Sequence, residues 1–170
     1  MEHARPATPH DLHRVAQLAQ QVIEELTPTR GGQIWARQTA RTVPVTPASF
    51  EALLGDPLHL VAVGTVDDTV IGYAAVRIDA LRDGGRLAVL DELYVEPDAR
   101  GVGVGEAMMD LVVEWATGAG CIGIDSIALP GNRATKNFFE SFGLVARAII
   151  VHRSLLPAET PELPAMAPQP

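Results

Sequence analysis

The sequence has little of what usually signals chemistry through one residue type. It has one cysteine, Cys121, among 170 residues. A lone thiol forms no intramolecular disulfide and no thiolate cluster. Its place at the head of an apolar segment suits a packed side chain better than a nucleophile, and no metal site is expected. Basic residues are scarce, with 13 Lys and Arg against 21 Asp and Glu and a net charge of −8. That balance argues against nucleic-acid binding, which needs a basic patch. No apolar run approaches the roughly 20 residues of a membrane span. Met1–Pro6 also lacks the apolar core of a signal peptide. Together these absences point to the cytoplasm. The rest is an ordinary globular composition, 47% hydrophobic, in a chain long enough for one domain with its own core.

Periodicity and punctuation divide the chain. Thr8-Pro9-His10-Asp11 reads as a helix start, with a capping threonine and proline at the first helical position. The helix runs to about Leu26, its apolar stripe formed by Leu12, Val15, Leu18, Ala19, Val22 and Ile23. Residues 33–41 suit a second helix. Trp35 there is either a core plug or a pocket wall, with the core reading favoured. Thr46-Pro47 opens a short helix to Leu54. Leu58–Val66 and Thr69–Ile78 read as a hairpin across Asp67-Asp68. Residues 87–95 form the next antiparallel strand. A helix over about 103–118 follows, closed by Gly118-Ala119-Gly120. Cys121–Leu129 is then a strand parallel to 87–95, Arg133–Phe142 a helix and Leu144–Leu155 a last strand. The segment from Pro157 holds five of the 13 prolines and reads as a disordered tail over 157–170. The domain is therefore expected over 1–156.

The stretch from Val89 to Met109 organises the rest. A strand enters a turn with Gly101, Gly103 and Gly105 at alternate positions, and the turn enters a helix. Unpaired N–H groups and the helix dipole at such a start attract anions. Glycines let a phosphate approach the backbone. A tight turn with no ligand is the bland alternative. A dinucleotide site is the other rival, but the spacing is Gly-x-Gly-x-Gly and the turn follows antiparallel strands.

Arg100-Gly-Val-Gly-Val-Gly105, after Leu93-Tyr94-Val95 and some 27 residues before Asn132-Arg-Ala-Thr-Lys-Asn-Phe-Phe-Glu-Ser-Phe-Gly143-Leu144, resembles the GNAT superfamily of acyl-CoA-dependent N-acetyltransferases. Arg100, Gly103 and Gly105 match that family's Gln/Arg-x-x-Gly-x-Gly/Ala phosphate loop. Asn132, Phe138 and Gly143 match its later helix motif, with Thr135 at the small-residue position and Leu144 replacing the usual Phe. The resemblance implies a mixed α/β, strongly twisted sheet of six or seven strands flanked by about four helices. It implies acetyl-CoA as co-substrate. Pyrophosphate would lie on the N–H groups of Gly101, Val102, Gly103, Val104, Gly105 and Glu106. The pantetheine arm would lie on the backbone of Leu93, Tyr94 and Val95, with Asn132, Thr135 and Phe139 nearby. Dimers are common in such folds, so a homodimer is among the partners it allows.

The implied reaction is direct attack of a primary amine, from a small molecule or a peptide, on the thioester carbonyl. Asp91 and Glu92 are the candidate bases. Strand alternation sends the two to opposite faces unless a bulge intervenes. The family's polyamine enzymes place an acid at the position of Asp91, which ranks it first. Structural acids with no catalytic part are the bland reading, and His152, His59 and Tyr73 are minor candidates. The family often has a Tyr where this chain has Phe139, and Phe139 cannot protonate a leaving thiolate. That departure motivates a rival reading, a non-catalytic acyl-CoA binder or sensor. A nucleotide-dependent oxidoreductase is a second rival.

Overall fold

The computed structural model describes residues 1–38 and 45–155. Among these, five strands form one sheet in sequence order: β1 (Glu2–Pro6), β2 (His59–Val66), β3 (Thr69–Ala80), β4 (Arg86–Val95) and β5 (Ile124–Ser126). Neighbours pair antiparallel except β4 and β5, which are parallel. Five helices among the described residues flank the sheet: α1 (Leu12–Leu26), α2 (Gly32–Gln38), α3 (Ala48–Leu54), α4 (Val104–Gly118) and α5 (Arg133–Ser141). The mixed α/β architecture agrees with expectation. The count is five strands rather than six or seven, and five helices rather than about four. None of the described helices is long and apolar enough to cross a membrane.

Each face of the sheet carries its own core. Alternation along β2 and β3 sends Val61, Val63, Tyr73 and Ala75 to one side. There they meet the α1 stripe, Trp35 of α2 and Phe50 of α3. Every stripe residue expected on α1 is buried, and Trp35 is a core residue. Ala62, Ala74 and Val76 face the opposite side, against Val104, Met108 and Val112 of α4. Contact there is close. A Cβ on Gly64 would sit 2.4 Å from a Val104 methyl, so α4 comes this close to β2 because Gly64 has no side chain.

Three departures from the sequence reading concern sheet edges. Residues 2–6, which precede the first element expected from the sequence, pair with β2 from Glu2↔Val66 to Pro6↔Ala62. The parallel strand expected over 121–129 is three residues long. Residues 144–155 form no strand, and Val145 to Leu155 are all exposed. Their apolar, β-branched composition predicts extended structure but supplies no neighbour to pair with. The proline-rich tail over 157–170 and the end of the 33–41 helix prediction lie outside the described residues.

The hairpin turn between β2 and β3 is as predicted. Asp67 and Asp68 both adopt positive φ, 45° and 64°. That is the primed geometry a two-residue hairpin needs, and aspartate tolerates it better than most residues. The Met1 amine is bonded to the Asp67 carboxylate, which fixes the start of β1 beside this turn.

Candidate active site

The site is built around the second half of β4. Pairing with β5 runs Ala88↔Ile124, Val89↔Asp125 and Leu90↔Ser126, and then stops. The Ser126 hydroxyl donates to the Leu90 carbonyl at 3.1 Å and marks the last contact. β4 continues to Val95 with β3 on one side and, among the described residues, no strand on the other. A wedge therefore opens between β4 and β5. Its β4 wall is Asp91–Val95, where an extended ligand can meet the edge of the backbone.

At that same point the register with β3 changes. Ala75 pairs with Glu92, but Val76 pairs with Leu90. Asp91 is the extra residue of a β-bulge, which reverses the facing of everything after it. Ala88 and Leu90 belong to the α4-side core, whereas Tyr94 belongs to the α1-side core and Val95 to the α4 side. Asp91 and Glu92, expected on opposite faces, consequently engage partners on one face. The Arg77 guanidinium is bonded to Asp91 and also bonds Asp79 at 3.0 Å. The Tyr73 hydroxyl donates to Glu92 Oε2 at 2.9 Å. Tyr73 and Arg77 are both odd-numbered residues of β3 and share the α1 side. Glu92 is 5% exposed and Tyr73 fully buried. The paired carboxylate of Asp91 holds the Arg77 guanidinium above its ordinary pKa.

β4 then leads through a tight 3-10 turn at Pro97–Ala99 into the glycine loop. Gly101 and Gly103 both have left-handed backbones, φ 84° and 91°, and Gly103 caps α4. A Cβ on Gly101 would meet open space. That leaves an unobstructed backbone surface at a helix N-terminus, which fits a phosphate group. Gly101 and Val102 are exposed, Gly103 and Gly105 half-buried, Val104 buried beneath α4 and Glu106 exposed. A Cβ on Gly105 would meet Phe138 of α5 at 3.4 Å, so this glycine lets α5 close on α4.

The Arg100 side chain turns away from the loop. It donates to the Val95 carbonyl at 3.0 Å, lies over the Tyr94 ring at 5.5 Å and forks onto Glu25 of α1 at 2.7 and 2.9 Å. The bond to Glu25 raises the Arg100 pKa, and burial together with Glu25 raises that of Tyr94. Glu2 of β1 approaches instead, its Cγ 3.3 Å from where a Gly103 Cβ would be. Leu93 is half-buried, on the α4 side. Asn132 caps α5, its Oδ1 accepting from the Thr135 N–H at 3.1 Å. Phe139 lies half-buried against the α4-side core, edge-on to Phe138 at 5.7 Å. His59 is engaged by Asp56 at 2.8 Å, away from this wedge. His152 is exposed on the segment after α5. An open cleft of about 460 Å³ lies beside the end of β4, lined by Gln21 and Glu24 of α1 and by Tyr94 and Glu96–Ala99.

The sequence model of the Acetyltransferase (GNAT) family matches residues 19–144. The chain belongs to this family. A search of curated protein sequences gave no match. Among solved structures, this GNAT domain is similar to glucosamine-6-phosphate N-acetyltransferase from Arabidopsis thaliana, at TM-score 0.67 and 16% identity over 91% of this chain and 99% of that one. It is similar to a point mutant of the BH1408 protein from Bacillus halodurans, at TM-score 0.73 and 21% identity over 90% and 99%. A third similar structure is AAC(6')-Iy in complex with the bisubstrate analog CoA-S-monomethyl-acetylneamine, at TM-score 0.70 and 21% identity over 91% and 98%. At these identities the likeness is one of fold.

Reasoning from sequence missed Tyr73 as the partner of Glu92 and Arg77 as the partner of Asp91. Both are cross-strand relations that depend on the bulge. No spacing within the 87–95 strand announces that bulge.

Proposed function

We propose that the protein transfers an acetyl group from acetyl-CoA to a primary amine, by direct attack of the amine on the thioester. The observation that carries this reading is the release of β4 from β5 after Leu90, in line with the open left-handed turn at Gly101 and Gly103. It offers one continuous backbone surface, suited first to an amide-bearing arm and then to phosphates. Residues 101–106 would hold the pyrophosphate. Leu93–Val95 would hold the pantetheine arm, and Asn132, Thr135 and Phe139 would border it from α5. Acetyl-CoA supplies an activated thioester carbonyl. The protein supplies alignment and N–H donors toward the developing oxyanion.

Asp91 is paired with the cationic Arg77, whereas Glu92 accepts from the neutral Tyr73 hydroxyl, so Glu92 is the better candidate to receive the amine proton. Glu92 is buried on β4, two residues before Tyr94 of the cleft wall. Glu24 and Asp98 around that cleft suit a cationic amine, whether a small molecule or a peptide terminus, while Glu96 is paired with Arg14 at 2.6 Å. The thiolate leaves without help from Phe139, as a group whose conjugate thiol has a pKa near 8.5 is able to do.

Phe139 also favours a second reading, an acyl-CoA binder that transfers poorly or not at all. Thiol release from acetyl-CoA, followed with a panel of small amines and peptides, separates the two. Amine-dependent thiol release supports transfer. Tight CoA binding with no release for any amine supports the binder. NAD binding without CoA binding overturns both.

A further inference from the structure

Beyond its split from β5, β4 turns the backbone groups of alternate residues to the open side. The Glu96 N–H donates to the Ile71 carbonyl at 3.0 Å. Val95 stands opposite Gly72, Tyr94 opposite Tyr73 and Leu93 opposite Ala74. Bonded and unbonded pairs alternate along an antiparallel ladder. The polar groups of Tyr94 and Glu96 therefore face β3, and those of Leu93 and Val95 face outward. Among the described residues no strand receives them.

One of these outward groups is already taken. The Arg100 Nε donates to the Val95 carbonyl at 3.0 Å, which agrees with that carbonyl pointing away from β3. The same guanidinium lies 5.5 Å over the centre of the Tyr94 ring. Its Nη2 bonds both oxygens of Glu25, at 2.9 and 2.7 Å, in the last turn of α1. Glu25 thus holds the guanidinium, and the guanidinium holds the last carbonyl of β4. What stays open along the edge is the Leu93 N–H, the Leu93 carbonyl and the Val95 N–H. That order of donor, acceptor and donor complements a carbonyl, an N–H and a carbonyl on an arm with two amides. Only every second residue faces the edge, so such an arm slips by two residues, or about 7 Å. A slip toward the turn needs the Val95 carbonyl as its acceptor, and Arg100 occupies it.

We infer that Glu25 is a positioning residue for the acyl-CoA arm: it keeps Arg100 on the Val95 carbonyl, so that the arm takes a single register on β4. This role rests on the acyl-transfer reading and gives α1 a part in it. Arg100 then serves the arm rather than the phosphates, although it heads the glycine loop. The edge is set before the ligand arrives, which lowers the cost of ordering it on binding. Both side chains are partly exposed, 46% for Arg100 and 37% for Glu25. An exposed pair contributes little to folding, so its loss is expected to leave the melting temperature nearly unchanged.

Calorimetric titration of the full chain with two probes tests the role. One is CoA. The other is adenosine 3′-phosphate 5′-diphosphate, which carries the phosphates of CoA and no arm. Glu25→Ala and Arg100→Met are each expected to weaken CoA about tenfold, the worth of one hydrogen bond. Both are expected to bind the armless nucleotide as the wild type does. Either variant suffices should the other fail to fold. Equal losses for the two probes overturn the inference and assign Arg100 to the phosphates. Unchanged CoA binding in both variants, with a wild type that binds CoA, overturns the inference alone. A wild type that binds neither probe overturns the acyl-CoA reading and the inference with it.

Discussion

The Tyr73 hydroxyl donates to Glu92 Oε2 at 2.9 Å across the β3–β4 pair, where neither side chain has more than 5% exposure. A hydrogen bond to a buried carboxylate contributes about 1.5–3 kcal/mol. Tyr73→Phe removes the donor without changing the ring, which also packs edge-on against Phe50 at 6.0 Å. The expected cost is about 2 kcal/mol, or roughly 4–8 °C in Tm for a domain of this size. Thermal unfolding of the two proteins checks it.

Glu92→Gln keeps the shape and removes the proton acceptor. Loss of a positioned base is expected to lower kcat by about 10²–10⁴-fold, with CoA affinity unchanged. Asp91→Asn is expected to lower kcat less. Titration with CoA and steady-state kinetics on both variants decide which acid carries the proton.

Gly103→Glu places a side chain and a negative charge at the N-terminus of α4, at a backbone φ of 91°. CoA binding is expected to be lost. Gly103→Ala isolates the backbone part and is expected to cost about 1–2 kcal/mol of stability. Calorimetric titration with CoA, alongside circular dichroism to verify folding, reads both effects.

Glu2 brings a carboxylate to the same glycine without closing the site. Glu2→Gln is expected to tighten CoA binding several-fold at low ionic strength. The gain is expected to shrink as salt is added, since an exposed charge is screened within about 10 Å at 0.1 M. Equal gains at all salt concentrations would contradict an electrostatic origin.

Phe139→Tyr restores a hydroxyl on α5 at a half-buried position. A rise in turnover is expected if departure of the thiolate limits the rate, with the larger gain at lower pH. An unchanged kcat places the slow step elsewhere.

Acid lability should begin at Asp11. Its carboxylate accepts from the Arg5 fork at 2.7 and 2.9 Å and from both the N–H and the hydroxyl of Thr8 at 2.8 Å. Arg5 above all holds its pKa well below the ordinary carboxylate range. A depressed pKa stabilises the fold fully above the unfolded value, near 3.9. That contribution is lost as pH falls below it toward the folded value. Wild-type Tm is expected to fall as pH drops from about 4 to 2, more steeply than that of Asp11→Asn, which is already destabilised at pH 7.

Much of this architecture was legible in the chain. The α1 stripe, Trp35 in the core, the Asp67-Asp68 hairpin and the glycine turn into α4 all follow from local periodicity and turn chemistry. Gly103 caps α4 and Gly105 lies in its first turn, as a glycine turn opening a helix predicts. Relations between strands were less legible. Glu2–Pro6 joins the sheet because β2 offers an edge, which its own five residues do not reveal. Leu144–Leu155 has the composition of a strand, and composition supplies no edge to receive it. The partners of Asp91 and Glu92 turned on one unpaired residue in the β3–β4 ladder, and ladders are properties of two segments at once.

That residue gives the site a parity. Upstream of Asp91, even-numbered side chains of β4 belong to the α4 core, and downstream they belong to the α1 core. Taking Asp91 into the ladder opposite Ala75 would leave the composition of β4 unchanged and put every later side chain on the wrong side. Glu92 would be driven among the methionines beneath α4, and Leu93 and Val95 would turn toward α1. A one-residue slip of pairing here would act on the surface as a frameshift acts on a message, changing the meaning of everything after it while leaving each letter the same.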